Sequence, residues 1–201
     1  VSVNDVWAVG DNAVAGTIET LIEHWDGTGW VVSPVAPPVN RGFLSAVSAS
    51  GANDILAVGG YSDTTSQTLV EHWDGATWSL IPSPNVGLGD NVLYGVSALS
   101  VNDAWAVGFE RSDPISGVWQ TLVLHWDGTA WSIVQSPNVG ADQNYLLGVS
   151  AISATDAWAV GWNGGTTSAS STLIEHWDGT SWSVIYSPDP SPIRNELVAV
   201  T

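Results

Sequence analysis

Histidine, carboxylate and tryptophan are the side chains through which this chain of 201 residues could act, because it has no cysteine and its basic residues are three arginines. All four histidines, His24, His72, His125 and His176, open the tetrapeptide His-Trp-Asp-Gly. Four imidazoles at one repeat position invite a metal centre. The segment that carries them, however, reads as the third strand of a repeat unit, about 9–10 Å from any common axis. Histidines so placed face four different interfaces between units and cannot converge on one ion, so no metal is expected. Each unit instead offers an aspartate at the head of the adjacent strand: Asp5, Asp54, Asp103 and Asp156. A His–Asp hydrogen bond in every unit satisfies both groups, a structural role for all eight residues. It also leaves no imidazole for a Ser-His-Asp or Cys-His site.

Glycoside cleavage would need two carboxyl groups roughly 5–10 Å apart in different environments. Many acids fall on repeat positions, among them Glu23, Glu71, Glu175 and the aspartates of His-Trp-Asp-Gly. Off the repeat lie Asp11, Glu19, Asp63, Asp90, Glu110, Asp113, Asp142, Asp189 and Glu196. No two of these stand out as a pair, so no catalytic residue is assigned and the chain is not expected to be an enzyme.

Aromatic residues offer more. Eleven of the 13 tryptophans recur at fixed places in the repeat, where packing between units accounts for them. Trp119 and Trp162 do not recur. They fall in the stretches between second and third strands, which vary most among units, together with Phe109, Arg111 and, in the second unit, Tyr61. Aromatic faces beside Asp, Asn and Arg suit a sugar: a ring for C–H stacking and polar groups for hydroxyls. These five are the candidate ligand-binding residues. The loops Asn85–Asn91 and Asn138–Asn144 carry oxygens that calcium could use, but without an ordered acidic series, so no cofactor is assigned and calcium stays a weak alternative.

Twenty acidic residues against three basic ones give a net charge of −17. Nucleic acid and anionic membrane surfaces should be repelled, and no apolar run is long enough to span a bilayer. The absence of cysteine removes disulfides and thiolate metal sites. Few charges, no lysine and abundant Ser, Thr and Gly suggest an extracellular bacterial protein, secreted or displayed at the cell surface. The chain has no methionine and opens inside a motif, which suggests a processed or excised piece.

What must position these residues is a repeat. His-Trp-Asp-Gly recurs about every 50 residues, a period that marks a repeat architecture. Four segments recur in fixed order: a small-residue run such as Leu147-Gly-Val-Ser-Ala151, then Asp103-Ala-Trp-Ala-Val107 and its equivalents, then Thr-Leu-x-x-His-Trp, then a run from Trp to Ser-Pro. Each is short, rich in Val, Ile, Trp and Thr, and bounded by Gly, Pro, Asn or Asp, which is a strand signature. Asp-Gly between the third and fourth segments supplies the turn of a tight hairpin, and proline stops the outermost strand. Four antiparallel strands per unit describe one blade of a β-propeller.

The chain opens on a second strand and finishes on a first strand, Leu197–Thr201. The fold expected is therefore an all-β propeller with four blades in a single domain, residues 1–201, in which 194–201 complete the first blade by lying beside Asp5–Val9. Small residues at Ala46, Gly95, Gly148 and Ala199 suit a crowded axis. Two chains exchanging that strand into an eight-bladed ring, or a part of a larger propeller, are the alternatives.

The pair Asp-x-Trp-Ala-Val-Gly and His-Trp-Asp-Gly-Thr-x-Trp resembles bacterial extracellular propeller repeats, and more distantly Kelch and WD-repeat blades. The resemblance covers the whole chain and implies the blade rather than an activity, since such propellers host enzymes, lectins, adhesins and scaffolds. The function expected is non-catalytic recognition or adhesion, with a glycan or protein partner outside the cell. A structural unit of a larger extracellular assembly, including a homo-oligomer, is the first alternative, and a glycan-cleaving propeller the second.

Overall fold

The computed structural model describes residues 2–14, 16–36, 41–62, 64–115, 117–140, 142–165 and 169–201. Among them there are strands and turns but no α-helix. The strands form four antiparallel sheets, the blades of an all-β, propeller-like fold. Blade 1 holds β1 (Val6–Val14), β2 (Thr17–Trp25) and β3 (Trp30–Val32). Blade 2 holds β4 (Gly42–Gly51), β5 (Asp54–Ser62), β6 (Ser66–Trp73) and β7 (Trp78–Leu80). Blade 3 holds β8 (Asn91–Ser100), β9 (Asp103–Glu110), β10 (Gln120–Trp126) and β11 (Trp131–Ile133). Blade 4 holds β12 (Gln143–Ser153), β13 (Asp156–Gly164), β14 (Ser170–Trp177) and β15 (Trp182–Val184). Within each blade the strands follow chain order from the inside outward.

Local chemistry accounts for the elements. Each His-Trp-Asp-Gly turn places glycine at positive φ, between 90° and 94°, where a side chain would be strained. The turn aspartate caps it: Asp127 Oδ1 accepts from the backbone N–H groups of Thr129 and Ala130 and from the Thr129 hydroxyl. Those donors hold the Asp127 carboxyl down at about 2. The glycine of Ala-Val-Gly answers a close approach instead. A Cβ on Gly59, Gly108 or Gly161 would lie about 2 Å from a backbone carbonyl oxygen of the blade's own inner strand, that of Phe43, Val92 or Tyr145. The inner strands bulge at this level, between Leu44 and Ala46, Leu93 and Gly95, and Leu146 and Gly148.

The core is a series of joints between blades. Alternate residues of each second strand face opposite neighbours. Trp7 and Val9 of blade 1 pack with Ile55, Ala57 and Leu69 of blade 2. Leu56, Val58 and Val70 pack with Ala104, Ala106 and Leu122 of blade 3. Trp105, Val107 and Val123 pack with Ala157, Ala159 and Leu173 of blade 4. In blades 2, 3 and 4 the tryptophan that follows the Asp-Gly turn docks into the preceding blade, and Trp78, Trp131 and Trp182 are each 5% exposed. Inner-strand residues Ala46, Gly95, Gly148 and Ala199 surround an axial cavity of about 270 Å³.

Residues 195–201 take the inner-strand position next to blade 4, just as β12 takes it next to blade 3. Asn195 N–H donates to Ser170 O at 3.0 Å, and Asn144 N–H donates to Trp119 O at 3.0 Å in the same crossing one blade earlier. Leu197 N–H donates to Gly161 O. The other half of the expected closure is not formed. β1 is paired with β2 alone, and no ladder joins Asp5–Val9 to Leu197–Thr201, so the first sheet has three strands. The reason is spatial: β1 packs against β4 of blade 2, and a Cβ on its Gly10 would meet nothing within 4 Å, so no strand lies against β1 at that level.

Candidate functional site

The repeated polar residues form one motif in every blade. Imidazole Nε2 donates to the strand-leading aspartate at 2.8 Å for His24–Asp5, 2.7 Å for His72–Asp54, 2.9 Å for His125–Asp103 and 2.9 Å for His176–Asp156. The pairs are adjacent because β1, β5, β9 and β13 run antiparallel to the histidine-bearing strands. In three blades a tryptophan covers the imidazole, with ring centres 4.1 Å apart for Trp7–His24, 4.4 Å for Trp105–His125 and 4.3 Å for Trp158–His176. Trp7 and Trp158 also donate Nε1–H to the same aspartates, at 3.1 Å.

The residues that break the repeat lie elsewhere. Four of the five candidate ligand residues, Phe109, Arg111, Trp119 and Trp162, meet at the end of the molecule where the inner strands of blades 3 and 4 begin. Antiparallel register sets Tyr145 of β12 opposite Trp162 of β13, and the two rings stack with centres 4.5 Å apart and planes 16° apart. Tyr145 lies 5.8 Å from Trp119, nearly parallel, and 5.0 Å from Phe109. Phe109 meets Trp119 edge-on at 4.8 Å and Tyr94 at 5.7 Å. The Arg111 guanidinium stands 5.0 Å from the Trp119 ring centre, within cation–π range, and is tied to Asp90 at 3.5 Å. Asp90 also accepts the backbone N–H of Ser66 at 2.9 Å.

Phe109 is 6% exposed and supports the cluster from below, whereas Trp119, Tyr145, Trp162 and Arg111 are half-buried and present a face to solvent. Burial and the neighbouring Tyr94 push the Tyr145 phenol up to about 12, so it acts as a hydrogen-bonding neutral group at any physiological pH. The fifth candidate, Tyr61, is not part of this cluster. It lies in blade 2 beside Thr68, Leu69, Ile81 and Ser83, around a separate cavity of about 410 Å³.

Tyr145 and Tyr94 lie on the inner strands β12 and β8, outside the loops between second and third strands that hold the candidate residues. The sequence marks Tyr145, though not Tyr94, by Asn-x-Leu, which recurs at Asn91–Leu93, Asn144–Leu146 and Asn195–Leu197. Each asparagine staples the loop before the inner strand, as Asn144 does by accepting from Val139 and Gly140 N–H and donating to Gly140 O. The residue after it is thereby fixed at the rim. Asn85 and Asn138, considered as calcium ligands, accept the backbone N–H groups of Thr68 and Thr121, each at 2.8 Å. Among the described residues no cluster of three or more His, Cys, Asp or Glu is placed to hold a metal.

The acids off the repeat are dispersed. Asp189 accepts from Thr172 N–H, Glu196 pairs with Arg194, and Asp90 with Arg111. Glu110 is buried beside a cavity of about 130 Å³ with Gln120 and Gln135, and burial raises its pKa. Asp63 lies outside the described residues. Two acids on the repeat, Glu71 and Glu175, are 1% and 0% exposed and sit at joints between blades.

No family model matches the chain and no curated protein matches it. Among solved structures, a similarity is found with YCF48 bound to D1 peptide, at 15% identity and a TM-score of 0.36. The alignment covers 92% of this chain and 64% of that one, so the chain spans about two thirds of its length. Among the described residues no helix is long and apolar enough to cross a membrane.

Proposed function

We propose that this propeller is a non-catalytic recognition module, acting outside the cell, and that the Trp119–Tyr145–Trp162 surface binds a glycan. One observation carries the reading: three half-buried rings, none on a repeat position of the blade motif, stack in sequence across two blades and end on an arginine held by Asp90. Packing between blades does not require that ladder, since the repeated tryptophans already fill each joint. Flat apolar faces flanked by a guanidinium and a phenol match the alternating C–H faces and hydroxyls of a sugar chain.

The test is binding of the purified chain to an array of defined oligosaccharides, followed by titration of the best binder with intrinsic tryptophan fluorescence. Trp162→Ala and Trp119→Ala should each weaken that binding at least tenfold without lowering the melting temperature of the joints. Silence across the array combined with capture of a defined peptide library by the same tryptophans would replace the glycan with a protein partner. Silence in both would remove the recognition reading.

A further inference from the structure

Glu110 is a buried carboxylate that neither the blade motif nor the ring surface uses. It is 4% exposed, at the end of β9, where blades 1, 2 and 4 carry Asn12, Tyr61 and Asn163. Its register partners are Asn91 and Gln120, and with Gln120 it shares the side of the sheet on which Leu122 meets blade 2. Phe109 points the other way, toward Tyr145. The Ser112 N–H donates to the Glu110 carboxylate, whereas Oε2 is buried without a hydrogen-bond partner among the described residues. An oxygen in that state is costly unless a positive group meets it.

A cavity of about 130 Å³ lies against this carboxylate, and its walls are held in place. Fully buried Asn91 fixes Val86 there, accepting its N–H at 2.8 Å and donating to its carbonyl at 3.1 Å. Asn138 accepts the Thr121 N–H at 2.8 Å, and the Thr121 and Ser136 hydroxyls meet at 2.6 Å. Exposed Gln120 and Gln135 bring amides to the mouth, and Leu122, Ile133 and Val134 add apolar surface. The acid and the second amide belong to blade 3 alone. Where it has Glu110 and Gln135, blade 2 has Tyr61 and Pro82, and blade 4 has Asn163 and Tyr186.

We propose that this pocket binds a primary ammonium group on an alkyl stem, as a site separate from the ring surface. The ammonium donates to Glu110 Oε2 and to the amide oxygens of Gln120 and Gln135, while the stem lies along Val86, Leu122 and Ile133. A guanidinium suits the pocket less, because its fork takes both oxygens of a carboxylate and Ser112 already holds one. A divalent metal ion suits it less as well, since Glu110 is the one carboxylate among the described lining residues. The net charge of −17 draws cations toward the mouth. A free alkylamine and the lysine of a peptide both carry this chemistry.

The test is a thermal-shift titration near pH 8, where an alkylamine keeps its proton, with n-butylammonium chloride against sodium chloride at equal ionic strength. Butylammonium at about 20 mM should raise the melting temperature by about 3 °C over the salt control. Glu110→Gln should weaken that binding at least tenfold, and Gln135→Leu, a change at the exposed mouth, about threefold. Butanol has the stem without the charge, and tetramethylammonium the charge without N–H donors, so neither should reproduce the rise. A blocked Gly-Lys-Gly peptide that binds at least tenfold tighter than butylammonium identifies the source as peptide lysine, and equal or weaker binding identifies a free amine. The proposal is overturned if sodium or tetramethylammonium matches butylammonium, or if the Glu110→Gln chain binds as the natural one does. Blocked Gly-Arg-Gly binding as tightly as Gly-Lys-Gly overturns it equally.

Discussion

Two joints of this molecule bury a glutamate at the same place and treat it oppositely. Glu71 and Glu175 occupy one repeat position, each facing the blade before it, and the segment they face runs outward from the preceding blade's last strand. At the first joint that segment presents Ala36, whose N–H donates to Glu71 Oε2 at 3.3 Å, and the Thr20 hydroxyl supports the same carboxylate. At the third joint the residue in register with Ala36 is Pro137, which has no N–H to give. The nearby Ser136 hydroxyl is tied to Thr121 Oγ1 at 2.6 Å, and neither oxygen of Glu175 completes a hydrogen bond. Burial outweighs the lowering effect of the nearby Ser136 hydroxyl and, with no backbone donor to help it, pushes the Glu175 carboxyl up to about 8, against a more modest rise for Glu71. The second joint resolves the conflict in a third way: Pro84 stands in register and the opposing residue is Leu124, fully buried. A carboxylate across a blade joint is therefore tolerated where the facing backbone has a hydrogen to offer, and is held protonated where proline takes its place.

The largest effect that would sharpen this contrast is the pH dependence of stability. Glu175 binds its proton more tightly in the folded chain than in the unfolded one, where its pKa is near 4.5. Its contribution is thus whole below about pH 4.5 and drains away as pH rises to about 8, at up to about 1.4 kcal/mol for each pH unit crossed. Urea unfolding at pH 5, 6.5 and 8 should show stability falling by several kcal/mol, shared with smaller parallel contributions from Glu71 and Glu110. Glu175→Leu, which copies the second joint, should flatten most of that slope and raise stability at pH 8 by about 2–4 kcal/mol. An unchanged slope in the variant would mean that the third joint already solvates its carboxylate.

A smaller effect should follow from making the first joint resemble the third. Ala36→Pro removes the backbone donor to Glu71 and leaves that buried carboxylate with the Thr20 hydroxyl alone, at a cost of about 1–3 kcal/mol near neutral pH. Proline could also strain the local chain, so the informative quantity is the coupling. Ala36→Pro made in a Glu71→Leu background should cost at least about 1 kcal/mol less than in the natural chain. Equal costs in the two backgrounds would assign the loss to the backbone and dissolve the comparison.

Much of this was legible in the sequence, and the rest was not, for physical reasons. Strand order, the hairpin turns and the small residues at Ala46, Gly95 and Gly148 follow from the repeat, because each states a local requirement that recurs. The gathering of Phe109, Arg111, Trp119 and Trp162 also left a trace, since all four break the pattern. Asn-x-Leu marks only the place of Tyr145 at the rim, because its role depends on the register that sets it beside Trp162. The contrast between Glu71 and Glu175 was hidden for the same reason. Both glutamates sit on the repeat, and what separates them is one backbone hydrogen on a different segment, at Ala36 and not at Pro137.

The finest probe of that contrast is Val35→Ser. Blades 2, 3 and 4 pair a threonine with a serine near the close of each blade, at 2.8 Å for Thr68–Ser83, 2.6 Å for Thr121–Ser136 and 2.5 Å for Thr172–Ser187. Blade 1 has Val35 at the serine position, which leaves the Thr20 hydroxyl free to face Glu71. Restoring serine would offer Thr20 the partner its equivalents have and draw it from the carboxylate. The expected loss is about 0.5–1 kcal/mol at pH 7, and less at pH 5, where Glu71 more readily carries its own proton. A loss of the same size at both pH values would point to the missing valine contacts, and would reduce the first joint's tolerance of Glu71 to the N–H of Ala36 alone.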